Sequence, residues 1–217
     1  MTGKPVQYIF RYTVFFIGVF FMALGIVLTI KAALGTTPIS ALPYVASLGF
    51  VPSLGFFTML MNMGLIAMQV LILRNKFPKV QYLQIPASLL FAVFIDFWMT
   101  VVPDPAGTTY AWQLLYLGAG TLILAFGIFV EVSANVVMMA GEGAVMVLSL
   151  VTRRDFGTLK VVFDSTLVIL AGLLSLLLFH ELRGIREGTL ISALMVGFIV
   201  KLFFAAWKKM GPKNEVS

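Results

Sequence analysis

Four acidic side chains of this sequence stand in apolar surroundings: Asp96, Glu131, Glu142 and Asp164. A carboxylate centred in a bilayer costs about 2.5–3.5 kcal/mol on insertion scales, so such groups should face a partner or a cavity. Asp164 has the strongest claim to substrate or proton handling, but Lys160 stands four residues earlier on the same helical face and offers a plain ion pair. Glu142 lies between Gly141 and Gly143, whose missing side chains admit close approach of backbone or ligand. Asp96 is a third proton-coupling candidate, with a place among the outer headgroups as its alternative, and Glu131 and Glu142 are both solvated if their segment lies at a surface. The neutral groups suited to a polar solute are Thr36, Thr37 and Ser40 in G-T-T-P-I-S, with Asn62 further on. Lys31 suits an anionic solute or a headgroup equally well. His180, the single histidine, sits beside Glu181 at the end of an apolar run and reads as interfacial.

Other chemistries have no foothold. No H-E-x-x-H, Walker A loop, G-x-S-x-G elbow or dinucleotide fingerprint occurs, and there is no cysteine to supply a thiolate, a disulfide or a sulfur ligand. The expectation is therefore a protein that is not an enzyme and holds neither cofactor nor metal.

The elements that must position these residues are membrane-spanning. With 60% apolar and 11% charged residues and a mean hydropathy of +1.03, the 217-residue chain has less than half the charge of a soluble domain, where about 25% is usual. Six apolar stretches are long enough to cross: Tyr12 to Ile30, Leu54 to Leu73, Ile85 to Val102, Trp112 to Val130, Leu159 to Leu178, and Thr189 to Phe204. Turn chemistry separates them at Asn75 to Pro78, at Pro103-Asp104-Pro105 with Gly107, and around Gly184 and Gly188. The first stretch is too long for a cleaved signal segment and is read as a retained helix.

With the N-terminus inside, ten bases fall on the inner side: Lys4, Arg11, Arg74, Lys76, Lys79, Arg153, Arg154, Lys208, Lys209 and Lys213. Only Lys31, Arg183 and Arg186 fall outside, which predicts both termini in the cytoplasm of a bacterial inner-membrane protein. The net charge of +6 is thereby explained by headgroups and orientation, and nucleic acid is not an expected partner.

Displacing the chain by 102 residues superposes Gly18 on Gly120, Ala23 on Ala125, Gly25 on Gly127, Ile26 on Ile128 and Ala32 on Ala134, and sets Asn62 against Asp164. Nine of the 47 positions from Gly18 to Gly64 are identical, against ~4 expected from composition. The halves, 12–102 and 112–204 of a single membrane domain, would hold three spans each, and an odd number of crossings inserts the second half upside down. The competing explanation is that small residues recur wherever membrane helices pack.

Two connections are unusual. Residues 31–53 and 133–155 are too apolar for solvated loops and too interrupted for spans. Thr37 is a natural N-cap and Pro38 a natural first helical residue, so a short helix is predicted from there toward Gly49. Such a pair either re-enters the membrane beside a central site or lies as two interfacial helices.

The segment G-I-V-L-T-I-K-A-A-L-G-T-T-P-I-S-A-L, from Gly25 to Leu42, resembles the G...A-x-L-G-x-x-P pattern of the YczE/YyaS/YitT-like bacterial membrane proteins. G-I-R-E-G-T-L-I-S-A-L-M-V-G, from Gly184 to Gly197, is similar to their G-x-x-x-G-T-x-x-x-A-x-x-x-G ending, and F-D-S-T around Asp164 fits the acidic position of the fifth span. The second half departs from the pattern at Met139-Ala140-Gly141-Glu142, where a proline is expected near Ala140. The resemblance spans nearly the whole chain and implies a compact multi-span inner-membrane protein, with no activity attached.

The expected architecture is thus an all-α bundle of about six spans in two inverted halves. The expected function is a small-solute permease or secondary transporter, with the solute between the halves near Thr36, Thr37, Ser40, Asn62, Glu142 and Asp164. Asp164, Glu142 or Asp96 would couple a proton. The alternative is a membrane scaffold, modulator or substrate-binding subunit that works with a partner membrane protein or a second copy; the bilayer is the common partner of both.

Overall fold

The computed structural model describes residues 4–105 and 109–210; Gly107 and Lys213, and the side chain of Lys4, lie outside the described residues. These residues form eight helices and no strand: α1 Lys4–Lys31, α2 Pro38–Gly49, α3 Leu54–Leu73, α4 Gln84–Val101, α5 Tyr110–Ala134, α6 Ala140–Thr152, α7 Phe156–Phe179 and α8 Glu187–Met210. Two single 3-10 turns, Arg74–Lys76 and Lys79–Leu83, join α3 to α4. All but α2 and α6 are long and apolar enough to cross a membrane, so the six expected stretches all become helices.

Local chemistry sets the ends. Ser53 accepts the Phe56 N–H at 3.1 Å and starts α3; Asp155 accepts the Thr158 N–H at 2.9 Å and starts α7. The caps are 102 residues apart, as are the starts of α2 and α6 and the left-handed residues Ala33 and Asn135 that follow α1 and α5. His180 closes α7 in the same left-handed conformation, a backbone role for the lone histidine.

The core is the antiparallel crossing of α1 and α5, flanked by α4 and α8. Its contacts come in reciprocal pairs. Gly18 lies against Glu131 as Gly120 lies against Thr29, and Gly25 against Leu124 as Gly127 against Met22. Reciprocity of this kind is the pattern of an isologous contact, in which one patch meets its equivalent across a two-fold axis. A Cβ on Gly25 would stand 2.6 Å from Leu124 Cα and closer still to its backbone nitrogen, so the helices touch main chain to main chain.

The short helices are enclosed. No residue of α2 is exposed from Pro38 to Ser47, and none of α6 up to Ser149. Each packs on the long helix after it and on that helix's counterpart, α2 on α3 and α7, α6 on α7 and α3. An interfacial helix would keep one polar face in water; these two keep none, which is how irregular backbone at their entrances can be tolerated.

One pairing is not reciprocated. α3 packs closely on α4, whereas α7 and α8 make at most marginal contact among the described residues. The Asp96 carboxylate of α4 accepts the Gly55 N–H at 2.8 Å and the Ser53 hydroxyl at 2.7 Å, stitching the start of α3 to α4. Position 198, its equivalent, is an exposed phenylalanine. Asp96→Ala is expected to lower stability by about 1–2 kcal/mol, the range for a lost helix cap, with Asp96→Asn recovering part of it; thermal unfolding of the purified protein measures both.

Candidate functional site

The first turns of α2 and α6 meet in the interior: a Cβ on Gly141 would collide with Ile39 Cδ1, and these two positions are again 102 apart. Each entrance is lined differently.

On the α2 side four hydroxyls are buried. Thr29 Oγ1 donates to the Ile26 carbonyl at 2.8 Å and lies 3.4 Å from Thr36 Oγ1, while Thr37 Oγ1 donates to Ser40 Oγ at 3.0 Å. Thr37 occupies the cap position, yet its hydroxyl makes no capping bond and turns to Ser40 instead. The segment is tied to the α7–α8 connection by Thr36 N–H donating to the Gly184 carbonyl and Gly188 N–H donating to the Leu34 carbonyl. Gly35 makes its sharp turn there at φ +101°, with Thr189 Oγ1 filling the space a side chain would need.

On the α6 side the equivalents of Thr29 and Ser40 are Glu131 and Glu142, and those of Thr36 and Thr37 are Met138 and Met139. Glu131 is 4% exposed, the backbone N–H of Met139 lies beside its carboxylate, and Oε1 accepts no hydrogen bond. Glu142, half-buried in the first turn of α6, is within electrostatic reach. Arg11 of α1 donates to the carbonyls of Ala134 and Asn135 that α5 leaves open.

Beside this entrance is a buried amide pair. Gln69 Nε2 donates to Gln84 Oε1 at 3.0 Å and to the Ala140 carbonyl at 3.2 Å; Gln84 Nε2 returns a bond to Gln69 Oε1 at 3.2 Å and reaches Gln81 Oε1 at 2.7 Å. A cavity of about 80 Å³ adjoins the pair, lined by Gln69, Gln81, Met138, Gly143 and Met146 among others. Gly143 is needed here, since a Cβ would stand 2.8 Å from Gln69 Oε1.

The structure thus gathers Thr36, Thr37, Ser40 and Glu142 at the two entrances, and buries Asn62 on α3, which packs on both short helices. Asp96 is occupied at the far end of α4 by its cap. Asp164 is paired with Lys160 at 2.8 Å, both partly exposed. Partly exposed i, i+4 pairs contribute about 0.2–0.5 kcal/mol, so Asp164→Asn should move the unfolding temperature little; a large loss would mean that the carboxylate has a second partner. Thr29, Gln69 and Gln84 are not singled out in the sequence reading, and Glu131, one of the four acids named there, was not placed among the site residues. The signal for Thr29 and Glu131 was present, for they stand 102 apart, each ahead of a short helix. The glutamines lie 15 residues apart on different helices and carry no such mark.

The profile of one family of unknown function, DUF6198, matches residues 9–205, nearly the whole chain. The chain belongs to the DUF6198 family. Among curated proteins it is similar to the uncharacterized membrane protein YczE of Bacillus subtilis, 25% identical over 197 residues that cover 90% of this chain and 86% of the relative. It is also similar to the uncharacterized protein YyaS of the same organism, 24% identical over 194 residues covering 89% and 92%. No solved structure matches. The YczE- and YyaS-like resemblance read from the motifs thus holds over most of the chain, and with six spanning helices the protein is a multi-pass membrane protein.

Proposed function

We propose that this DUF6198 protein is a small-solute permease or secondary transporter of the bacterial inner membrane, built from two inverted three-span halves with both termini in the cytoplasm. One observation carries the reading. Two short, enclosed helices bring their first turns together at Ile39 and Gly141, positions separated by the same 102 residues that relate the reciprocal α1–α5 contacts. Half-helix entrances of this kind offer unpaired N–H groups and partial positive charge to a solute at mid-depth, and transporters of inverted-repeat design place their sites there. The hydroxyls of Thr36, Thr37 and Ser40 would bind polar groups, with Asn62 and Glu142 beside them. The reading includes no catalytic step, cofactor or metal.

The test is flux. Purified protein in liposomes should move at least one member of a broad metabolite panel, with or without a pH gradient, and Gly141→Val should abolish the movement by wedging the two first turns apart. The isosteric control Ile39→Leu should retain it. Absence of flux across the whole panel, with reproducible co-purification of one membrane partner, would replace the transporter by the scaffold or subunit reading. Orientation is open to the same material: single cysteines at Thr36 and Met138, in this cysteine-free chain, should be labelled from opposite faces.

A further inference from the structure

We propose that Glu131 is the seat of an exchangeable monovalent cation, a proton or a sodium ion, which couples the α6 entrance to transport. The proposal rests on the transport reading for its purpose, but the binding itself is measurable without flux.

Three observations converge. Among the described residues Glu131 is the buried acid, 4% exposed, with Oε1 shielded from solvent and accepting nothing. Its carboxyl stands at the start of α6 beside the Met139 N–H, with Glu142 of the same first turn close by. Its equivalent in the other half is the neutral Thr29, whose hydroxyl is satisfied by Ile26 within its own helix. A fold that needed only shape at this position is served by threonine; the carboxyl adds a charge that can be taken up and released.

Among the described residues no cation forms an ion pair with Glu131. From α1, Arg11 directs its Nε and Nη2 donors to the carbonyls of Ala134 and Asn135, and Gly18 brings only backbone. From α6 comes another acid, Glu142. α8 sets Phe203, Phe204 and Trp207 around Phe129, while its Lys201 and Lys208 are exposed. α4, which packs on α1, has its one charge, Asp96, at the far end and capped. An ionised carboxyl with a bare oxygen at this depth is costly, and a cation on Oε1 removes the cost. The Met139 N–H at Glu131 and the Gly141 position packed against Ile39 both belong to the α6 entrance, so the cation and the solute would share one element.

The experiment uses the full chain in detergent micelles or lipid nanodiscs and the hydrophobic reagent dicyclohexylcarbodiimide, which modifies protonated carboxyls in apolar sites. Mass spectrometry should find the adduct on Glu131 in preference to Glu142, Asp164 and Asp96. Its yield should fall with rising pH, approaching about tenfold per unit as for a single titrating carboxyl. Suppression by sodium at fixed pH and constant ionic strength, with choline as the control, assigns the sodium ion; indifference to sodium assigns the proton. Absence of adduct on Glu131 across an acid-to-alkaline series, or an adduct whose yield ignores both pH and sodium, overturns the proposal. So does a Glu131→Gln protein whose unfolding temperature keeps the wild-type dependence on both. A labelled, cation-sensitive Glu131 in a protein that moves no solute would retain the cation site and discard the transporter.

Discussion

Gly25→Leu is expected to leave no folded protein, while the same substitution at Gly64 or Gly118 yields protein with a near wild-type unfolding temperature. All three glycines lie within apolar helices of similar length, and a scale of residue preferences does not separate them. The neighbours do. A Cβ on Gly25 would lie 2.6 Å from both Cα and Cβ of Leu124, whereas Gly64 and Gly118 have nothing within 4 Å. Relief at Gly25 cannot come from a side-chain rotation, because the obstacle is main chain. α1 and α5 would have to separate, and with them the reciprocal packing at Gly18, Gly120 and Gly127. Overpacking a core costs about 1–3 kcal/mol and occasionally more; because the whole crossing must open together, Gly25→Leu falls above that range. Gly127→Leu should be equally severe, because it meets Met22 in the same way. The measurement is recovery of monodisperse protein after detergent extraction and its thermal midpoint. A stable Gly25→Leu protein would mean that the α1–α5 crossing is not the centre of the fold.

Gln69→Leu is expected to cost about 2 kcal/mol or more, since each buried polar group left without a partner costs about 1–3 kcal/mol. Gln84 Oε1 loses its donor, and the Ala140 carbonyl at the start of α6 loses its side-chain donor. Gln84 Nε2 keeps Gln81 Oε1, which limits the damage. The double variant Gln69→Leu with Gln84→Leu should therefore be less destabilised than the sum of the two single variants, by about 0.5–3 kcal/mol of coupling. Additive losses would mean that the amides are separately satisfied. Because the pair holds the first turn of α6 through Ala140, Gln69→Leu should also alter labelling of cysteines placed at Met138 to Gly143.

Much of the architecture was legible along the chain. Pro38 after Thr37 marked the start of α2 and Gly49 its end, and both stand where the helix begins and stops. The caps at Ser53 and Asp155 and the left-handed residues Ala33 and Asn135, which the sequence reading did not name, stand at the same 102-residue spacing. Thr37 shows the limit of the same reasoning: the residue is at the cap position, but buried beside Ser40 its hydroxyl has a better partner than the helix N–H groups. Asp164 and Glu131 differ in what surrounds them. Both are acids on apolar helices, but Lys160 on its own helix answers Asp164, and no local residue answers Glu131.

What the sequence alone determined is what depends on neighbours in the chain: membrane class from composition, six spans from apolar length, and the start of α2 from Thr37 and Pro38. Depth, company and vacancy were decided only by the tertiary structure. Glu131 is buried because Gly18, more than a hundred residues away, lets α1 lie against its backbone. Gln69 and Gln84 are partners because α3 and α4 fold back on one another. In a chain this apolar nearly every residue is compatible with lipid, so hydrophobicity cannot say which faces turn inward; close main-chain approach at a few glycines does.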